Sequence, residues 1–141
     1  MRRVLSLFLL VSMVLGLCGC VDTTEYELTG EELFNLPEQA RSYTLRHAGQ
    51  SKLYLNFERG DRCAAYQSAL RNLPLNTTNK EGSMDANMYE VVTDYIIRHS
   101  DTEYEIVEVK LIVNGNMVCY NGEWYEADTS QLLRQLERDF P

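Results

Sequence analysis

The chain is 141 residues long and carries 21 acidic against 13 basic side chains, a net charge of −8 with neutral histidines. That length suits one domain of ordinary size with a real core. The acidic balance argues against binding a nucleic-acid backbone and leaves no polybasic patch to hold anionic lipid.

Met1-Arg2-Arg3 opens the chain, an almost wholly apolar run from Val4 to Leu17 follows, and Cys18-Gly19-Cys20 closes the segment. A positive start, a short apolar core and a small-residue end make a secretory signal. The run falls short of the roughly 20 residues that a comfortable membrane span needs. Leu17-Cys18-Gly19-Cys20 resembles the lipobox of bacterial lipoproteins, with a leucine three positions before the last cysteine and a glycine directly before it. The resemblance covers residues 1–20. It implies that residues 1–19 are a signal peptide and that Cys20 becomes the new N-terminus. It also implies that Cys20 carries the acyl chains, palmitate among them, and that the protein is lipid-anchored outside the cytoplasm on a bacterial cell membrane or envelope. Losing Arg2 and Arg3 takes the net charge from −8 to −10, which leaves the lipid that the resemblance implies on Cys20 as the expected anchor. One acyl chain holds weakly and several hold firmly.

Residues 20–28 then read as a polar, lipidated stem with Asp22, Thr23, Thr24 and Glu25, and residues 29–141 as a single domain. Thr29-Gly30-Glu31-Glu32 is a capping box that starts a short helix over about residues 30–36, and Pro37 either ends it or begins a second turn. Ser42–His47 and Lys52–Phe57 alternate as the strands of a hairpin, with Ala48-Gly49-Gln50-Ser51 as the turn. Gly60-Asp61 introduces a helix to about Leu73, with Cys63, Tyr66, Ala69, Leu70 and Leu73 on one face and Pro74 as its stop. Asn76–Asn87 is polar and reads as the most mobile surface loop.

The second half is strongly β. Met88–Arg98 sets Tyr89, Val91, Thr93, Tyr95 and Ile97 on one face. Glu103–Val113 sets Val107, Val109, Leu111 and Val113 inward, with Glu108 and Lys110 outward. Asn114-Gly115 and Asn121-Gly122 are type I′ hairpin signals leading to strands at Asn116–Tyr120 and Glu123–Ala127. Asp128-Thr129-Ser130-Gln131 is a further capping box, and the helix behind it lines up Leu132, Leu133, Leu136 and Phe140. The expected fold is α+β. A mostly antiparallel sheet of five to six strands carries a mid-chain helix and a C-terminal helix on one face, and its other face, with Glu90, Asp94, Glu108 and Lys110, meets water. The strand–helix–sheet–hairpin–helix order and the Tyr-Asn-Gly-Glu-Trp-Tyr hairpin give residues 42–140 a loose resemblance to small bacterial lipoproteins, a likeness that implies no activity.

Few residues carry a chemical signal. Cys63 and Cys119 lie far apart in sequence, so they form no CxxC or knuckle motif. In an oxidising compartment they read either as a disulfide pinning helix to sheet, a bond contributing about 3–4 kcal/mol, or as two buried thiols. His47 and His99 show no metal-ligand spacing, no GxSxG elbow is present, and the acids are numerous but scattered. No metal, cofactor or catalytic residue is assigned. Tyr120, Trp124 and Tyr125 crowd one tight turn as a candidate binding patch, with packing beneath the last helix as the alternative. The function expected first is a non-enzymatic binding or envelope-structural lipoprotein that meets a protein or cell-wall partner through the exposed sheet face or the Trp124 hairpin. An acidic inhibitor or immunity-type protein and an enzyme with a carboxylate site are the alternatives.

Overall fold

A computed structural model describes residues 25–36, 40–50, 54–58 and 60–141. The signal segment with Cys20, the stem before Glu25, and Pro37, Ser51, Lys52 and Leu53 lie outside the described residues. Among the described residues eight strands and three helices follow in chain order. These are β1 (Leu28–Thr29), α1 (Gly30–Phe34), β2 (Ala40–His47), β3 (Tyr54–Phe57), α2 (Asp61–Arg71), β4 (Pro74–Thr77), β5 (Tyr89–Arg98), β6 (Tyr104–Asn114), β7 (Met117–Tyr120), β8 (Glu123–Ala127) and α3 (Ser130–Asp139). All these strands join one antiparallel sheet in the order β1-β4-β8-β7-β6-β5-β2-β3.

The α+β class stands, but the sheet has eight strands where the sequence pattern predicts five to six. The additions are β1 and β4. Pro74 opens β4, a position where a missing N–H is tolerated, and the strand exists because Leu75, Asn76 and Thr77 pair with Ala127, Glu126 and Tyr125. Such short polar runs form only when a neighbour supplies the ladder. The chain just before β1 is also tied down. Asn76 accepts from the Glu27 N–H at 2.8 Å and donates through Nδ2 to the Glu25 carbonyl at 3.0 Å. The folded domain therefore takes in Glu25, Tyr26, Glu27 and Leu28, which the polar composition assigns to the stem.

Side-chain parity fixes the layers. Tyr43, Leu45, Val91, Tyr95, Val109, Leu111, Val113, Val118, Tyr125 and Ala127 are buried on one face, beneath Tyr66, Ala69 and Leu70 of α2 and Leu132 and Leu136 of α3. Truncating such a leucine to alanine costs about 2–5 kcal/mol. Helix α1 crosses the end of α2 on this same face. Its Gly30 is obligatory, because a Cβ there would stand 1.8 Å from the Leu70 carbonyl oxygen. The Thr29/Glu32 capping box forms as expected, with the Glu32 N–H donating to Thr29 Oγ1 and the Thr29 N–H to Glu32 Oε2.

Two turns differ from each other in a way their shared Asn-Gly signal conceals. Tyr120 pairs with Glu123, so Asn121-Gly122 is the turn, and both have positive φ (50° and 80°), as type I′ requires. At the other hairpin Asn114 pairs with Met117, so the turn is Gly115-Asn116, and of these two Gly115 alone has positive φ (57°). Asn114 is left in the strand, where its amide donates to the Ser83 carbonyl and Asp85. The capping box expected at Asp128 is also replaced. Thr129 is the N-cap and its hydroxyl donates to the Gly115 carbonyl at 2.5 Å, while Asp128 accepts from the Ser130 N–H and hydroxyl.

The helix layer is locked at one point. Asp139, near the end of α3, takes Arg62 on both oxygens (Nε 3.1 Å, Nη2 2.7 Å) and the Tyr66 hydroxyl at 2.7 Å. Burial works against the Asp139 anion. Hydrogen bonds from Arg62 and Tyr66 and the charges of Arg62 and Arg138 outweigh it, so its pKa lies below the usual carboxylate range. A depressed folded pKa stabilises the fold above the ordinary Asp value, about 3.9, and that contribution is lost as pH falls through the folded value. Asp139→Asn should therefore cost about 1–3 kcal/mol at neutral pH. The gap to wild type, measured by urea unfolding, should close as the medium is acidified below the ordinary Asp range. A gap that persists in acid would contradict the assignment.

Candidate binding surface

The face opposite the helices divides in two. Across β7 and β8 it is covered by the segment between β4 and β5, which composition alone marks as the most mobile. Gly82 lies against the Trp124 indole so closely that a Cβ would come within 2.4 Å of the ring. Asp85 pins the segment by accepting from the Asn87 N–H, the Ser83 hydroxyl and the Asn114 amide. The hydrogen bond from the Asn87 N–H, then that from Ser83, hold its pKa below the ordinary range. Lys80 reaches Glu126 at 2.7 Å.

The other half, over β5 and β6, is open among the described residues. Its centre is a charge ladder in which Glu90 lies 3.1 Å from Arg46 and 3.4 Å from Lys110. Glu90, Asp94, Glu108 and Lys110 occupy this face as the alternation requires, with Arg46 opposite Glu90, Asp94 opposite Glu108 and Val92 opposite Lys110. Beyond the charges the strands become apolar. Ile96 is 38 % exposed, Ile106 46 % and Tyr104 67 %. These three side chains lie on paired residues of the outer face, Ile96 opposite Ile106 and Tyr104 opposite Arg98. With Ser100, Asp101 and Thr102 of the turn, Ile96, Arg98 and Tyr104 line an open groove of about 290 Å³.

The aromatic patch expected at Tyr120, Trp124 and Tyr125 does not assemble. Tyr120 turns to the helix face and meets Phe34 edge to face, with ring centroids 4.9 Å apart. Tyr125 is buried on the same face, with its hydroxyl donating to Glu123 at 3.0 Å. Trp124 points the other way, under Gly82, at the floor of a polar groove of about 400 Å³ bordered by Thr78, Asn79 and Glu123. Strand alternation separates Trp124 from Tyr125, and register places Tyr120 opposite Glu123.

The cysteines are corrected too. Cys63 and Cys119 are both free and buried. Cys63 faces the helix side of the sheet with Tyr43 and Tyr66 in the core, whereas Cys119 pairs with Ile112 and Trp124 on the opposite face. The sheet stands between the two thiols, so no disulfide joins helix to sheet. Burial pushes the Cys119 thiol pKa up, partly offset by the Gly122 N–H, which disfavours the thiolate a nucleophile needs.

The imidazoles are also apart. His47 stacks on Tyr89 at 4.5 Å, and His99 lies 3.4 Å from Glu105. Among the described residues no three His, Cys, Asp or Glu side chains are grouped to hold a metal. The carboxylates whose pKa departs from the ordinary value (Asp85, Asp128 and Asp139) all move down, as anions held by donors do.

The cysteine placement sets an expectation. In a Cys18→Ser/Cys20→Ser chain, thiol titration after unfolding without reductant should find two reactive groups, Cys63 and Cys119. Zero would show that they are bonded. Comparison of the chain with protein-family models, with curated proteins and with solved structures finds no match.

Proposed function

We propose that the protein is a membrane-tethered extracytoplasmic lipoprotein, anchored through lipid on Cys20, whose domain is a non-enzymatic binding module. The lipobox-like Leu17-Cys18-Gly19-Cys20 supports the tether. The observation that carries the binding reading is the open half of the sheet. Ile96, Tyr104 and Ile106 stand exposed together on the paired β5–β6 hairpin, while the helices cover only the other face. Grouped apolar side chains rimmed by charge on an ordered scaffold are the ordinary make-up of a contact surface. Aromatic residues such as Tyr104 are common anchors in such surfaces. The downward-shifted carboxylates fit structural anions better than a general acid, which needs a raised pKa.

A photo-reactive amino acid placed at Tyr104, and separately at exposed Arg134 on the helix face, tests both parts in cells. Adducts should form from position 104 and not from 134, with the protein in the membrane fraction. The Cys20→Ser form should leave that fraction. Equal absence of adducts at both positions would overturn the binding reading, and unchanged partitioning of Cys20→Ser would overturn the tether.

A further inference from the structure

Strand β6 has eleven residues, and β7 covers only four of them, from Leu111 to Asn114. Over Tyr104–Lys110 no strand lies on the β7 side among the described residues. On its other side β6 is paired with β5 from Tyr104 to Val113. The direction of the free groups follows from the turn. Residues flanking a two-residue hairpin turn exchange both backbone hydrogen bonds, so Asn114 faces Met117 and the even-numbered positions of β6 face the β7 side. Odd positions face β5, and the His99 N–H donating to the Glu103 carbonyl at 2.9 Å continues that pattern into the turn. Ile106, Glu108 and Lys110 therefore present their N–H and C=O groups along an open edge.

We propose that this edge, Tyr104–Lys110, receives an extended basic segment of a protein partner, which adds to the sheet as a strand antiparallel to β6. The proposal rests on the binding-module reading above and names its partner by chemistry. Backbone hydrogen bonds would supply affinity, and side chains facing the incoming strand would select it. Asp101, Glu103, Glu105 and Glu108 are exposed along the edge and its turn. The Lys110 ammonium already lies 3.4 Å from Glu90, and Glu105 lies 3.4 Å from the His99 ring. Charges on an edge strand repel copies of like charge. A second copy of this chain, with its net charge of −8, would bring the same acids against themselves. A basic strand meets the opposite field, which raises association rate and fixes register.

The order of side chains predicts the partner's pattern. Glu105 and Glu108 lie on opposite faces of β6, with Ile106 and Val107 between them. An antiparallel strand in register would place a basic residue opposite each acid and two apolar residues between, giving basic-apolar-apolar-basic. The apolar side chain opposite Ile106 would extend the exposed group formed by Ile96, Tyr104 and Ile106, and the one opposite Val107 would lie on the helix face.

The test uses the full chain in detergent micelles and two capped, fluorescent heptapeptides, Thr-Val-Lys-Val-Ile-Lys-Thr and Thr-Val-Glu-Val-Ile-Glu-Thr. Fluorescence anisotropy should show binding of the lysine peptide alone, weakening as salt is raised. Glu105→Lys/Glu108→Lys should lower that affinity by about tenfold or more. Glu108→Pro removes an edge N–H that β5 does not use, a substitution edge strands tolerate, and should abolish binding with the circular dichroism spectrum unchanged. Equal binding of both peptides, or full binding by a folded Glu108→Pro protein or by the double lysine variant, would overturn the proposal. So would concentration-dependent dimers that Glu108→Pro dissolves, which would make a second copy the occupant. Failure of both peptides while adducts persist at position 104 would remove the strand-addition site and leave the binding surface standing.

Discussion

One helical layer covers one face of an eight-stranded sheet, and every other feature depends on that one-sidedness. Parity along each strand then decides whether a residue joins the core or meets the outside. The layer is held in place by apolar burial under α2 and α3 and by the Asp139 carboxylate, which joins Arg62 and Tyr66 of α2 to the end of α3. The Arg62 guanidinium also lies 4.8 Å from the centre of the Phe57 ring, so the same contact reaches the edge strand β3. Hydrogen bonds to a charged group are stronger than neutral ones, and this cluster ties the two helices together.

One-sidedness leaves the second face to be dealt with differently in its two halves. Across β7 and β8 it is closed by a segment with no regular structure, held by the Asp85 carboxylate and by the contact of Gly82 with Trp124. Across β5 and β6 it carries charge near the centre and exposed apolar side chains toward the turn. The long β5–β6 hairpin outruns its neighbours on both sides. Pairing with β2 stops at Tyr95 and pairing with β7 starts at Leu111. The free edge of β6 follows directly from that mismatch in strand length.

The parts of the fold with strong periodicity were legible in the sequence. The alternation of Tyr89, Val91, Thr93 and Tyr95, the apolar stripe of Leu132, Leu136 and Phe140, and the Thr29/Glu32 cap all follow from local spacing. What was not legible depends on partners distant in sequence. Leu28 and Thr29 are a strand only beside Leu75 and Pro74. Thr129 stands at the N-cap of α3, but its hydroxyl donates to the Gly115 carbonyl and not to the helix. The cysteines look alike in sequence, and only register shows that the sheet separates them. The aromatic turn failed as a patch for the same reason, because Trp124 and Tyr125 alternate while Tyr120 is claimed by Phe34. The exposed side chains Ile96, Tyr104 and Ile106 had a sequence signal, an apolar residue on the polar face of each long strand, but it gains meaning only once Ile96 and Ile106 are seen to be paired.

Among the described residues strand β6 is bonded on one side and open on the other between Tyr104 and Lys110, and the proposed binding site stands or falls with that edge. Amide hydrogen exchange of the full chain in micelles, followed residue by residue by NMR, reads this directly. Protection should alternate. Val107 and Val109, whose N–H groups face β5, should exchange slowly, while Ile106, Glu108 and Lys110 exchange fast, and from Leu111 to Val113 protection should become continuous. Protection of Ile106 and Glu108 equal to that of Val107 and Val109 would contradict the open edge.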